Sequence, residues 1–179
     1  KKTNRSEHFS FRGKAITKPF IFISNRHFAQ KKLEHAFEVL DLLDQKVPLL
    51  IAGKPTDYTE ELKKLAKFYR LENHVHFLGY VSEKELGSLY QNCQVYLYTA
   101  PEEDFGMGIV EAMGNGKPVI AWNHAGPSRI ISHASNGFLV EPGNIKQMKE
   151  YVQYCLHDST NLTKITSNAY KTVRKEYSW

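Results

Sequence analysis

Three short stretches of this chain combine residue types that can hold an anionic, hydroxyl-rich ligand. In the run SNRHFAQKK, Arg26 and Lys31 stand five residues apart, with Lys32 adjacent, just ahead of a predicted helix. Positive charge beside a helix N-terminus opposes the helix dipole unless an anion is bound there. A diphosphate would remove that conflict, each charge-assisted hydrogen bond contributing about 1.5–3 kcal/mol. A solvated basic turn is the plainer alternative. In the run EEDFGMGIVE, Glu102, Glu103 and Asp104 precede two glycines that open a helix, and Glu111 follows Glu103 by eight residues. The glycines allow a ligand close to the backbone, and the free amides of the first turn can hold an anion. Paired carboxylates suit sugar or ribose hydroxyls, which need acceptors for their protons. For Glu102 and Asp104, solvent exposure and helix capping suffice. The third run, NHAGPS, places His124 beside a Gly-Pro turn, where it could touch a ligand or stand exposed.

Other candidates are weaker. His74 and His76 alternate onto one strand face with no third ligand near in sequence, so no metal site is expected. Cys93 and Cys155 lie in separate elements and read as two buried thiols. No Ser/His/Asp or Cys/His nucleophile pattern is present, and the sequons at Asn4 and Asn161 have meaning only in a secreted protein. The net charge of +5 suits an anionic small ligand. It is too diffuse for nucleic acid, because basic and aromatic residues do not interleave.

These loops need a scaffold. The 179 residues, 41% hydrophobic, suffice for a sizeable core, which excludes global disorder. Apolar runs of about five residues fall far short of the ~20 needed to span a bilayer. The first residue is Lys, so the chain is expected to be a fragment or a processed product. Residues 1–17, polar and basic, read as a tail or linker, and 18–179 as one domain. From Pro19 onward, short apolar runs alternate with helical periodicity. Strands are expected at Phe20 to Ser24, Pro48 to Ala52, His74 to Leu78, Val95 to Tyr98, Pro118 to Trp122 and Phe138 to Val140. Between them lie helices near Lys32 to Gln45, Tyr58 to Leu71, Ser82 to Gln91, Gly106 to Met113 and Pro127 to Ser132, and two more close the chain. Ser82 with Glu85 makes a capping box. The alternation implies an α/β, doubly wound parallel sheet covered on both faces, with ligands outside the carboxyl ends of its strands.

From PFIFISNRHFAQKK onward, over about residues 18–179, the sequence resembles the C-terminal, donor-binding domain of retaining family 4 glycosyltransferases of the GT-B fold. The E-x7-E pattern from Glu103 to Glu111, inside EEDFGMGIVEAMGNGKPVIA, carries most of the resemblance, supported by Arg26 with Lys31, VHFLGYVSEKELGSLYQNC and the closing YSW. The resemblance implies that Arg26 and Lys31 bind the donor diphosphate in place of a divalent metal. Glu111 would accept from ribose hydroxyls, and Glu103 with the amides of Phe105, Gly106 and Met107 would contact the transferred sugar. Gly79, Tyr80 and Val81, with Leu86, would border the base. The EEDFG variant is similar to that of mannosyltransferases of polysaccharide assembly, which points to GDP-mannose. The family's other domain, holding the acceptor, is absent from this sequence. A cytoplasmic enzyme, peripheral to the inner face of a membrane in its full-length form, is the matching expectation. A non-catalytic nucleotide-sugar-binding module and a sugar-nucleotide epimerase on the same architecture are the alternatives. The family often reads Gly-Gly and then Glu where this chain reads HAGPSR, with Ala125 at the first Gly and Arg129 at the Glu. Asn25 stands where Gly is usual.

Overall fold

The computed structural model describes residues 7–157 and 159–177. Six parallel strands form one sheet: β3 (Ile21–Ser24), β4 (Leu49–Ala52), β5 (Val75–Gly79), β6 (Val95–Tyr98), β7 (Val119–Trp122) and β8 (Phe138–Val140). They lie in the order β5-β4-β3-β6-β7-β8. That is the doubly wound Rossmann order, in which the chain turns outward in both directions from the central pair. Strand residues alternate between two cores. Ile21, Ile23, Leu49, Ile51, Val95 and Leu97 face one side. Phe20, Phe22, Leu50, Tyr96 and Tyr98 face the other.

The helices divide accordingly. α1 (Glu34–Leu42), α2 (Tyr58–Phe68) and α6 (Ile145–Leu156) cover the first core, through residues such as Phe37, Leu62 and Val152. α3 (Glu83–Asn92), α4 (Met107–Gly114) and α5 (Ala125–Ile130) cover the second, through Leu89, Ile109 and Ile130. α7 (Thr160–Glu176) closes the chain and sends Leu162 into the first core and Ala169 into the second. α3 starts with the expected capping box. Left-handed backbone sets two boundaries. Lys32 (φ +50) delays α1 until Glu34, and Arg70 (φ +56) stops the second helix short of Leu71. Both cysteines are free and buried. Burial pushes the Cys93 thiol up to about 12. Among the described residues, no helix is long and apolar enough to cross a membrane.

Residues 8–17 correct the expectation of a tail over 1–17. β1 (His8–Phe11) and β2 (Lys14–Thr17) pair antiparallel, His8 opposite Thr17 and Phe11 opposite Lys14. Phe9, Phe11 and Ile16 are buried in the second core. Phe9 stacks on Phe20 with ring centroids 5.4 Å apart. The period-two signal spans only a few residues and sits among basic ones, so the apolar face was hidden in a polar average. Replacing Phe9 with Ala is expected to destabilise the domain by about 3 kcal/mol, as large-to-small changes in cores do. Urea unfolding measures this, and a loss below about 1 kcal/mol would mark the hairpin as an appendage.

Candidate functional site

β3 and β6 pair side by side, Ile21 opposite Val95. The chain leaving β3 enters a helix on the first face, and the chain leaving β6 enters one on the second. A crevice therefore opens between their carboxyl ends, and the first two basic and acidic stretches line it.

Lys31 does not begin a helix. It ends a 3-10 turn, Ala29–Lys31, before the left-handed Lys32. Its Nζ donates to Glu103 Oε2 at 2.7 Å, both side chains being about one-fifth to one-quarter exposed. The anion that offsets this cation is thus supplied by the second stretch. Thr99, just beyond β6, donates its hydroxyl to the Lys31 carbonyl at 3.0 Å, and the Trp122 indole donates to the Thr99 carbonyl at 3.0 Å. Arg26 is exposed, and its guanidinium has no partner among the described residues. Asn25 keeps ordinary negative-φ backbone and accepts from the Arg26 amide through Oδ1 at 3.0 Å.

Between those two cations sits a residue that the sequence did not single out. His27 is fully buried, with Nδ1 2.9 Å from Thr59 Oγ1 and its ring edge-on to Phe77. Burial lowers its pKa, which keeps the imidazole neutral. Thr56 Oγ1 donates to the His27 carbonyl. The loop bearing Arg26 and Lys31 is thereby pinned to the start of α2.

Glu103 is set by its burial and by two neighbouring groups. Burial works to raise its pKa, but hydrogen bonds from Lys31 and Tyr98 outweigh that and hold the carboxyl below its usual range. Glu111 lies in α4, half-buried, and accepts from the Tyr90 hydroxyl at 2.7 Å. Tyr90 packs edge-on to Phe22 and tilts against Tyr96, and burial raises its phenol far enough that it remains a donor. A Cβ on Gly108 would strike the Tyr96 hydroxyl, so this glycine lets α4 settle onto the tyrosines. Gly106 caps α4 with φ +96, while Phe105 and Met107 are exposed on either side of it. Phe105 also contacts the ring of Tyr177 at 5.8 Å.

The third stretch buttresses the second. The Gly126 amide donates to the Glu103 carbonyl at 2.7 Å. A Cβ there would lie 2.6 Å from backbone atoms of Glu103 and Phe105. Ala125 adopts φ +50, a conformation glycine enters without strain. His124 is exposed and pairs with Glu102 at 3.2 Å; Arg129 and Asp104 are also exposed. Gly79 ends β5, two strands away along the same edge of the sheet, and Tyr80 and Val81 follow it. Val81 and Leu86 are half-buried against the core that contains Tyr90, and Tyr80 is 77% exposed. Two cavities, of about 610 and 700 Å³, lie away from these loops, lined respectively by Lys18, Asn92 and Lys117 and by Phe138, Tyr151 and Lys164.

A family described as Glycosyl transferases group 1 matches residues 4–172. Mouse Alpha-1,3/1,6-mannosyltransferase ALG2 is 37% identical over 141 residues, covering 70% of this chain and 34% of that protein. Its namesake from Dictyostelium discoideum is 29% identical over 181 residues, covering 90% and 43%. The chain therefore spans less than half the length of these curated relatives. Anabaena Alr3699/HepE, solved with UDP and glucose, superposes with a TM-score of 0.83 at 28% identity, over 89% of this chain and 44% of that one. The C-terminal domain of a Glycosyl Transferase Group 1 family protein (LpcC) from Francisella tularensis superposes at 0.74 with 27% identity, over 90% of this chain and 87% of that one.

The depressed Glu103 pKa has a sign that can be checked. Its contribution to stability is present above the ordinary carboxylate value of 4.5 and is lost as pH falls through the lower folded-state value. Glu103→Gln is therefore expected to be less stable than wild type near neutrality, with the gap narrowing steadily as pH falls below 4.5. Urea unfolding across that range measures it, and a gap independent of pH would sink the assignment.

Proposed function

The chain belongs to the glycosyl transferases group 1 family, and from that membership we propose that it is the donor-binding half of a retaining hexosyltransferase. It binds a nucleoside diphosphate sugar, and an N-terminal domain of the full-length protein holds the acceptor. The observation that carries this reading is the Lys31–Glu103 pair at 2.7 Å, set where the strand order reverses and flanked by the unpartnered Arg26. Arg26 and Lys31 take the diphosphate and stabilise it as it leaves, in the position a divalent metal would otherwise occupy. Glu111, held by Tyr90, accepts from the ribose hydroxyls. Glu103 and the amides of Phe105, Gly106 and Met107 face the sugar, and Gly79, Tyr80, Val81 and Leu86 border the base.

Retention through an oxocarbenium-like state needs charge stabilisation and no protein nucleophile. Preorganised cations and amides aimed at developing charge supply the large catalytic term. Mannose is the transferred sugar on this reading, supported by the activity named for the mouse and Dictyostelium relatives. UDP in the Anabaena structure supports a nucleoside diphosphate in this fold. The donor is GDP-mannose, and UDP-glucose is its competitor in the test.

Calorimetry of the chain with GDP, UDP and their sugars, in the presence of a chelator, tests the reading. Binding is expected without metal and should weaken with salt, as contacts by exposed charges do. Loss of the signal on chelation would overturn it. Two variants then separate the glutamates. Glu111→Gln is expected to cost about 1–3 kcal/mol of nucleoside diphosphate affinity, because a ribose hydroxyl loses its acceptor. Glu103→Gln should leave that affinity unchanged or tighten it, since Lys31 loses its competing partner. In the full-length enzyme the same Glu103 change should lower turnover. The reverse pattern of affinities would exchange the two roles.

A further inference from the structure

Arg12 occupies an unusual place for its type. It is the first residue of the two-residue turn between β1 and β2, with φ +48 at Arg12 and +75 at Gly13. A primed hairpin turn of this kind favours Asn, Asp or Gly at its first position. The side chain gives a reason for the exception. Its Nη1 donates to the Leu78 carbonyl at 2.8 Å, and its Nη2 donates to the Tyr80 carbonyl at 2.8 Å. Its Nε and Nη2 also grip Glu85, at 2.8 and 3.1 Å. Glu85 in turn accepts from the Ser82 amide at 2.8 Å, closing the capping box of α3.

One guanidinium thus ties down both carbonyls that flank Gly79, and the first turn of the helix that follows. Gly79 has φ +66 and nothing within 4 Å of where a Cβ would stand, so no side-chain packing fixes this turn. Its carbonyl accepts from Gly53 at 2.9 Å, and it pairs with Ala52 at a shift in the β4–β5 register. Beyond it, Tyr80 projects into solvent from a backbone fixed by Arg12. The hairpin does not depend on these bonds for its seat, because Phe9, Phe11 and Ile16 already anchor it in the core. The fork therefore acts on the loop after β5.

We propose that Arg12 is a positioning residue for the nucleobase: from the hairpin tip it holds segment 78–81 in the conformation that receives the base. The inference rests on the reading of Gly79, Tyr80 and Val81 as the base border. A loop fixed in advance loses less freedom on binding, so the benefit falls on ligands that carry a base. A ligand that is only a diphosphate gains nothing from it. Arginine is required for this task. A lysine ammonium is a point charge and cannot span two carbonyls and a carboxylate at once.

Calorimetry on the 179-residue chain with inorganic pyrophosphate, GDP and UDP tests this, comparing wild type with Arg12→Gln, Arg12→Lys and Glu85→Gln. Pyrophosphate affinity is expected to stay constant across the series. The affinity ratio of the preferred nucleoside diphosphate to pyrophosphate should fall about tenfold in Arg12→Gln. Arg12→Lys should recover only part of that ratio, and Glu85→Gln should lie between it and wild type. Thermal melts establish that the variants are folded. Equal losses for pyrophosphate and nucleotide, or an unchanged ratio, would overturn the role of Arg12 while leaving the donor site standing. A wild-type chain that binds pyrophosphate and nucleotides equally would instead refute the base border, and this inference with it.

Discussion

At the carboxyl edge of the sheet, neighbouring backbones meet with no side chain between them. A Cβ on Gly53 would run into the Asn25 carbonyl, and a Cβ on Gly126 would run into the loop from Glu103 to Phe105. Gly53 also donates to the Gly79 carbonyl, and Asn25 to the Ala52 carbonyl, each at 2.9 Å. These contacts stitch the loops after β3, β4 and β5 into one edge, while Gly126 fixes the loop after β6 from its far side. Lys31 and Glu103, 72 residues apart in sequence, form a short ion pair only because both loops are held this firmly. Shifting either backbone by an ångström would replace that contact with water.

How much of this was legible depended on the range of the signal. The apolar runs at Val95–Tyr98 and Phe138–Val140 coincide with strands, because a strand covered on both faces needs a continuous apolar run. The capping box at Ser82 was equally local and is present. The loops carrying Arg26, Lys31, Glu103 and Glu111 could be found because the residues in each are close in sequence. What joins those loops could not. His27 reads as one more polar loop residue until Thr59 and Phe77 arrive from other elements. Tyr90 reads as a core position until its hydroxyl is seen against Glu111. Gly53 shows no pattern at all, since its reason lies in a carbonyl 28 residues upstream. The hairpin was hidden for a different reason. Its burial comes from two phenylalanines and an isoleucine, scattered among residues that average as polar.

The two faces of the sheet divide the work. The loop with the free arginine belongs to the helix layer of the first core, and the loop with the paired glutamates to that of the second. A ligand between them would touch both layers. Its geometry would then report on how the layers are seated across the sheet, and residues such as Phe37 and Ile109, remote from any reacting atom, would set its fit by a few tenths of an ångström.

The Lys31–Glu103 pair also cancels one positive and one negative charge at the centre of the crevice. A small anion that drew Lys31 away would leave a partly buried carboxylate short of its cationic donor, and a phosphate dianion, with one hydroxyl and two negative charges, is a poor replacement. A ligand that joins a diphosphate to a ring of hydroxyls carries donors of its own, and on the proposed reading it meets both side chains at once. On the proposed reading the pair therefore favours such a ligand over an anion that can satisfy Lys31 alone.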